Sequence, residues 1–412
     1  MLSQTLKKNI LYILSGLAVL LIILIEAKTR GDFDIFLAAS KDLLHQKNIY
    51  QEKYSEWYHY FYSVSFALVL APFTFLPVYF VKVLWLILNV YFVSKIWSNI
   101  QELLPLSVLP KKIKVLITLV SFLFVLKFLR DNFHVAQVTI LILFLTLQGL
   151  KLIWNGKDIQ GAFLLALGID IKLLPIVFIP YLFYRKKWKA LVFVIGFIVG
   201  LTFLPALFIG FEYNAFLLGE RFYLINPQNQ EHILDTSERS FHSLTTLLST
   251  LFVENSRNQY DLFIKRNIAN LSLEQLSLII NITRLFFIGL TLYFLQSKPF
   301  KKENNPLQRL YEVSYICLII PLIFPHQQHY AFLFVFPATS YCIYYCYQKY
   351  FLIKTNSWRK YSVIILLVLI FFLLNSHFIL GTFIPFYDHF KTLTYGSLLL
   401  VVMLMVFNPK KY

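Results

Sequence analysis

Charged residues are scarce in this 412-residue chain, at 14% of the total, whereas soluble domains average about 25%. The mean hydropathy is +0.64, and apolar runs of roughly 16 to 20 residues recur from end to end. A water-soluble fold is excluded because so many apolar runs need a lipid environment. Runs of this length are typical of helices that pair their backbone groups internally, so the sequence predicts an all-α polytopic membrane protein.

Cysteine is nearly absent, and familiar catalytic motifs are missing altogether. Cys317, Cys342 and Cys346 lie inside apolar runs with no histidine or carboxylate at metal-ligand spacing, which indicates ordinary packing. No Walker A loop, GxGxxG, HExxH or GxSxG pattern occurs. We therefore expect no metal site, no cofactor and no nucleotide-binding fold. An activated donor, if there is one, reaches the protein already in the membrane.

Acidic residues are the rarer charged type, with 21 Asp and Glu against 38 Lys and Arg and a formal net charge of +17. Such an excess raises the possibility of a nucleic-acid partner. The basic residues, however, form short clusters between apolar runs, as in Arg185–Lys189, which is the positive-inside pattern of membrane proteins. The sequence therefore predicts membrane lipids as partners and no nucleic acid.

The basic clusters also orient the predicted spans. Lys7 and Lys8 place the N-terminus in the cytoplasm, and no small-x-small cleavage site follows the first apolar run, so we expect an uncleaved transmembrane helix. Alternation from there predicts about 11–13 spans. They form one domain over residues 1–412, with extracytoplasmic loops at residues 28–59 and 210–266.

Two of the apolar stretches are interrupted. Residues 60–97 contain Pro72 and Pro77, so this stretch must comprise at least two helical pieces. Residues 161–184 are interrupted by Asp170, Lys172 and Pro175, which predicts two half-helices. An intramembrane charge is costly and marks a functional site by default. Lys172 is therefore a candidate to bind a lipid phosphate, the alternative being a structural ion pair with Asp170.

The first outer stretch, residues 30–50, opens with Asp32 and Asp34 and continues with an amphipathic pattern at roughly helical spacing. A short helix lying in the interface is predicted there. One carboxylate is a candidate catalytic group and the other a helix cap, since Asp is favoured at helix N-termini. The alternative, that both are caps or solvated loop residues, stays open.

Further polar groups interrupt the apolar pattern, and all of them fall on the predicted outer side. A transporter tends to place polar groups near the bilayer midplane, whereas an enzyme acting at one face gathers them there. This distribution favours an enzyme over a transporter or a scaffold. Besides those named above, the candidates are Asn132, His134, Gln137, Arg239, His242, Ser243, His326 and His329.

His326 and His329 bracket two glutamines at the mouth of a predicted helix. Their i, i+3 spacing places both imidazoles on one helix face. Zinc would need a third ligand, and none is evident nearby in the sequence. A phosphate or sugar-hydroxyl contact needs no metal, and interfacial histidines reaching towards water remain the alternative. Arg239, His242 and Ser243 can equally be a polar helix start.

Six stretches, in order along much of the chain, resemble glycosyltransferase family 87, a GT-C membrane family of polyprenol-phosphate-mannose-dependent mannosyltransferases. They are GDFDIFLAASKDLLHQKNIY, YSVSFALVLAPFTFLPVYFVKVLWLILN, HVAQVTILIL, ALGIDIKLLPIVFIPYLFYRKKWKAL, FHSLTTLLSTL and FPHQQHYAFLFVFPA. Three positions depart from the family pattern: Ala136 replaces the usual Gly before Gln, Gln328–His329 replaces a His-His pair, and Phe241–His242 replaces Asn-Gln.

The resemblance implies a GT-C-type bundle that transfers a sugar in the outer leaflet of a bacterial plasma membrane. It implies a polyprenyl-phosphate sugar donor, a lipid or glycan acceptor, inversion at the anomeric carbon and Asp32 as the catalytic base. Lys172, His329 and Arg239 are then candidates for the phosphate, since its developing charge needs cationic or donor partners. The other polar candidates would contact donor or acceptor. A flippase of lipid-linked sugars remains the alternative function.

Overall fold

The computed structural model describes residues 4–51, 53–54, 59–226, 233–254, 256, 261–352, 357–378 and 380–409, and every regular element in this part of the chain is a helix. The α-helices are α1 (Gln4–Glu26), α2 (Asp32–Leu44), α3 (Val64–Leu70), α4 (Val78–Leu103), α5 (Lys111–His134), α6 (Thr139–Trp154), α7 (Asp158–Ile171), α8 (Phe178–Tyr184), α9 (Trp188–Phe203), α10 (Ala206–Ile209), α11 (Phe211–Ile225), α12 (Leu244–Phe252), α13 (Leu273–Leu295), α14 (Pro306–Ile323), α15 (Phe336–Tyr347), α16 (Ser357–Asn375), α17 (Ile384–His389) and α18 (Thr392–Val406).

The helices confirm an all-α polytopic membrane protein. Among the described residues, five helices are long and apolar enough to cross a bilayer alone, and the bent pair Gly381–His389 and Thr392–Val406, at 69°, makes a sixth if it is counted as one span. Four more apolar helices are shorter. The figure of about 11–13 spans therefore stays a prediction. The five are Val78–Leu103, Trp188–Ile209, Leu273–Leu295, Pro306–Ile323 and Trp358–Asn375.

Helix α14 lies at the centre of the bundle. Of its 18 residues 83% are buried, against 17% of the most apolar 18 residues in the span Trp188–Ile209. The apolar surface of that second span is therefore left to face lipid. The tyrosines of the centre are paired: the hydroxyls of Tyr311, Tyr315 and Tyr341 donate to backbone carbonyls at 3.1, 2.6 and 2.6 Å. The high tyrosine content is thus compatible with a dry core, because each of these hydroxyls has an acceptor.

Both predicted helix breaks are present. Residues 60–97 divide into α3, a 3₁₀ turn at Ala71–Phe75 and α4. Helix α7 ends before Lys172, which is extended (φ −148°, ψ 127°), and a 3₁₀ turn at Leu174–Val177 leads into α8. Helix α5 continues to His134, helped by an i, i+4 pair of Lys127 with Asp131 at 3.0 Å, so the turn that leads to α6 is short.

Arg185, at the end of α8, is buried although it belongs to a basic cluster. Its guanidinium pairs with Glu312 of α14, with Nε 3.0 Å from Oε2. Tyr181 and Gln308 complete the hydrogen bonding of the Glu312 carboxylate, at 3.1 and 2.8 Å. This fully bonded pair joins α8 to the central helix.

Candidate active site

Helix α2 starts where the chain passes very close to the end of α5. Gly31 precedes α2, and a Cβ atom there would lie 2.6 Å from the Val135 Cα. Asp34, in the first turn, accepts the Gly31 N–H at 2.8 Å and pairs with the Lys82 ammonium at 2.6 Å. Asp34 therefore caps α2 and neutralises a buried lysine of α4. Lys82 was not among the sequence candidates, although a charge inside an apolar run could have revealed it.

Asp32 is held by a glutamine from the loop after α5. The Gln137 amide Nε2 donates to Asp32 Oδ2. The Gln137 Oε1 atom accepts from the Tyr62 hydroxyl at 2.9 Å and from the Val138 N–H at 2.7 Å. Because both of those partners are donors, the amide is oriented with its N–H₂ group towards the carboxylate.

The backbone at Ala136 explains why glycine is usual at this position. Ala136 has φ +50°, in the left-handed region that disfavours side chains. Its carbonyl accepts the Trp85 indole N–H at 3.0 Å, which anchors the turn to α4. The turn thus keeps its shape despite the alanine and still presents Gln137 to Asp32.

A cation and a second phenol complete the surroundings of Asp32. The Lys172 Nζ atom lies 5.6 Å from the ring centroid of Tyr62 and 5.9 Å from that of Tyr330. Burial raises the pKa of the Asp32 carboxyl to about 6, although the Lys172 charge and hydrogen bonds from Gln137 and Tyr330 act in the opposite direction. The result is a carboxylate that is ionised at neutral pH yet more basic than a solvated one.

Lys172 is not the ion-pair partner of Asp170. The Asp170 carboxylate accepts a hydrogen bond from the Ser63 hydroxyl at 2.8 Å. The backbone carbonyl of Asp170 accepts one from Arg221 Nη2 at 3.1 Å. Among the described side chains no salt bridge joins Asp170 to Lys172, and the Lys172 charge interacts instead with Asp32. The ion-pair alternative is therefore wrong: Asp170 interacts with Ser63 and Arg221, whereas the charge of Lys172 acts on Asp32.

The two candidates in the last turn of α5 have supporting contacts. The Asn132 Nδ2 atom donates to the Phe128 carbonyl at 2.7 Å and to the Tyr330 carbonyl at 3.0 Å, so Asn132 positions the backbone beside the tyrosine. His134 is largely exposed, and its Nδ1 lies 3.0 Å from a carboxylate oxygen of Glu26. His134 therefore links α1 to α5.

Three other candidates converge on an aspartate that the sequence analysis did not single out. The Asp388 Oδ1 atom lies 3.1 Å from His329 Nε2 and 3.3 Å from His242 Nε2, while Oδ2 lies 2.8 Å from Arg239 Nε. Asp388 belongs to α17. We call these four residues the Asp388 cluster. A carboxylate within an apolar C-terminal segment was the available signal.

His326 has a different partner, which contradicts the predicted common helix face. It follows Pro325 in a turn, has φ +57°, and places its Nδ1 2.7 Å from Asp235 Oδ1. The other Asp235 oxygen accepts the Ser243 hydroxyl at 2.7 Å, and the Ser243 Oγ also caps α12 by accepting the Thr246 N–H. The i, i+3 spacing of His326 and His329 does not place them on one face, because His326 lies outside a helix. Ser243 lies at the start of a helix, as the alternative interpretation had it.

Comparison with known proteins places this arrangement in a family. The family model described as glycosyltransferase family 87 matches residues 60–298, more than half of the chain. The chain belongs to glycosyltransferase family 87. No curated protein matches it.

As a family 87 member the protein is a glycosyltransferase and uses a sugar donor and an acceptor in a membrane. Several of its site residues, among them Asp32 and His329, lie outside the matched range, whereas Tyr62, Gln137 and Lys172 lie within it. Two further residues that sequence reasoning missed, Tyr62 and Tyr330, are aromatics in a chain with 26 Tyr. No local signal distinguishes them from the rest.

Proposed function

We propose that this glycosyltransferase moves a hexose from a polyprenyl-phosphate donor to a lipid or glycan acceptor. The family resemblance favours mannose as the hexose. The reaction takes place at the extracytoplasmic face of the bacterial plasma membrane. The observation that carries this proposal is the surroundings of Asp32, where a neutral amide, a phenol and a lysine from distant parts of the chain converge on one carboxylate.

These groups suit a single displacement. Asp32 takes the proton of the acceptor hydroxyl as its oxygen forms a bond to the anomeric carbon. The bond from that carbon to the phosphate oxygen breaks, and the electron pair leaves with the polyprenyl phosphate. Lys172, next to the carboxylate, supplies positive charge to the leaving phosphate. Attack opposite to the leaving group inverts the anomeric centre.

A flippase of lipid-linked sugars is the second candidate, since it too needs basic groups for a phosphate. It requires groups that are reachable from both membrane faces, whereas Asp32, Lys172 and the other candidate groups all fall on the predicted outer side. The surroundings of Asp32 therefore favour transfer over transport.

The test is to incubate purified protein with radiolabelled polyprenyl-phosphate sugars and a cell-envelope extract, and to follow label into product. Asp32→Asn should lower transfer by about 10²–10⁴-fold and leave donor binding intact, because it removes the base and keeps the shape. Asp34→Asn is the matched control. It should mainly lower stability, by about 1–3 kcal/mol, since Lys82 loses its charged partner.

Two results would contradict the proposal. If no sugar is transferred by the wild-type protein from any polyprenyl-phosphate donor, the donor class is wrong. If Asp32→Asn transfers sugar at the wild-type rate per folded molecule, another residue is the base.

A further inference from the structure

The Asp388 cluster lies beside the proposed reaction site, but the proposed transfer does not use its histidine pair. His329 directly precedes Tyr330, whose side chain hydrogen bonds to Asp32. The three ligand-type residues His242, His329 and Asp388 come from distant segments of the chain. One candidate ligand atom from each lies within 4.8 Å of the other two.

We propose that His242, His329 and Asp388 bind one divalent transition-metal ion, and that Zn²⁺ fits this ligand set best. Two imidazoles and a carboxylate are ordinary zinc ligands, and a three-residue set leaves a fourth position open to an oxygen ligand.

The distances agree with this assignment. Ligand atoms about 2.0–2.1 Å from a tetrahedral ion are about 3.3–3.4 Å from one another. The Asp388 Oδ1 atom is 3.1 Å from one imidazole nitrogen and 3.3 Å from the other. The candidate ligand atoms of His242 and His329 lie within 4.8 Å of each other, so an ion that replaces the N–H···O contacts would draw the two rings together towards the tetrahedral spacing.

The outer shell supports a metal ligand at Asp388. Arg239 pairs with Oδ2 at 2.8 Å and leaves Oδ1 facing both imidazoles. A ligating carboxylate is commonly held in this way through its second oxygen.

His242 can also supply the lone pair that a metal needs. Its ring is fully buried, and no hydrogen-bond partner faces its Nδ1 atom among the described residues. Nδ1 is unpaired whether it carries the proton or a lone pair, so the lack of a partner does not oppose a proton there, and the lone pair of Nε2 is then available to the ion.

Cations nearby would oppose a metal if their charges were uncompensated. Lys127 is paired with Asp131 at 3.0 Å. The Lys391 Nζ atom donates to the Arg239 carbonyl at 3.1 Å, and Arg239 itself is paired with Asp388. The carbonyl that Lys391 contacts is neutral, so the charge of Lys391 is offset instead by the Asp261 and Asp388 carboxylates nearby. Both histidines are uncharged ligands when they bind a metal.

The experiment uses the full-length protein without an affinity tag, purified in detergent and stripped with a chelator. Co²⁺ titration, followed by its d–d absorption, reports a tetrahedral site, and equilibrium dialysis with Zn²⁺ gives stoichiometry and affinity. We expect one ion per chain. His242→Gln and His329→Gln each keep side-chain size and should weaken zinc binding by more than about 100-fold, beyond the usual loss for an outer-shell partner.

His326→Gln is the matched control, because His326 contacts Asp235 and not Asp388, and it should bind zinc like the wild type. The wild-type titration decides the question even if a variant fails to fold. A wild-type protein that binds no zinc overturns the proposal, and the Asp388 cluster then only joins these segments of the chain through its hydrogen bonds. Zinc binding that either histidine variant retains within about tenfold also overturns it, because the ion then lies elsewhere. Sugar transfer is not a readout here, so this test is independent of the proposed function.

Discussion

At the scale of single residues, Asp32 combines basicity with a fixed orientation. Burial raises the pKa of its carboxyl to about 6, and Gln137 holds one of its oxygens. A general base works best when its pKa lies near the working pH, since it must be deprotonated and still attract a proton. The rate of sugar transfer should therefore depend on pH through the ionisation of Asp32.

Transfer should be independent of pH well above 6 and fall about tenfold per pH unit below it, because only the ionised carboxylate accepts the acceptor's proton. Gln137→Leu should move the midpoint to higher pH, since the lost hydrogen bond stabilises the charged form. Asp34→Asn should move it to lower pH, since a neighbouring negative charge is removed. The measurement is the rate of transfer between pH 5 and 8. If neither variant moves the midpoint, the fall in the rate of transfer at low pH is due to a group other than Asp32.

Lys172→Met should weaken donor binding by about 10–150-fold, the equivalent of the roughly 1.5–3 kcal/mol of a hydrogen bond to a charged group. The substitution keeps the length of the side chain and removes its charge. Direct binding of a polyprenyl-phosphate sugar to detergent-solubilised protein measures the effect. Lys47→Met, at an exposed lysine just after α2, is the control. Unchanged donor affinity together with lower stability would make Lys172 a structural residue.

At the scale of elements, the close approach of Gly31 to the loop after α5 determines whether Asp32 meets Gln137. The atoms that a Cβ at Gly31 would meet are backbone atoms of Val135, at 2.6 to 2.9 Å. Backbone cannot move aside as a flexible side chain can. The close contact of Gly31 with Val135 therefore fixes the start of α2, which carries Asp32, relative to the turn that carries Gln137.

Gly31→Ala should separate the two elements, lower stability by about 1–3 kcal/mol as overpacking does, and lower transfer by about 100-fold, as a displacement of about 1 Å can. Gly16→Ala in α1 is the matched control, because a Cβ there meets nothing within 4 Å. Thermal unfolding and sugar transfer measure the two effects. Wild-type transfer by Gly31→Ala would show that the contact between Asp32 and Gln137 is dispensable.

At the scale of the whole molecule, the orientation in the membrane remains a prediction from the basic clusters. Cysteines introduced one at a time at positions 189, 32 and 326 test it with a membrane-impermeant thiol reagent applied to intact cells. We expect labelling at 32 and 326 but not at 189, since basic clusters are retained in the cytoplasm. The native Cys317, Cys342 and Cys346 are buried, so their background should be low. Labelling of position 189 from outside would reverse the topology.

The sequence by itself determined the class of protein and the local breaks in its helices. Hydropathy predicts helices because the bilayer demands internal backbone pairing, and prolines together with Asp170 and Lys172 mark where the helices stop. It also singled out Asp32, Gln137 and Lys172, since polar groups in apolar surroundings are costly unless they have a use. These signals are local, and a single chain displays them without any knowledge of its packing.

Only the tertiary structure decided which residues are partners. Tyr62 is 75 positions from Gln137, and Tyr330 is 198 positions from Asn132, distances at which periodicity carries no information. The separate partners of His326 and His329 follow from a non-helical turn, so the helical rule applied to their spacing was wrong. The physical reason is that spacing reports the local backbone, whereas ion pairs such as Arg239 with Asp388 depend on how distant helices pack together.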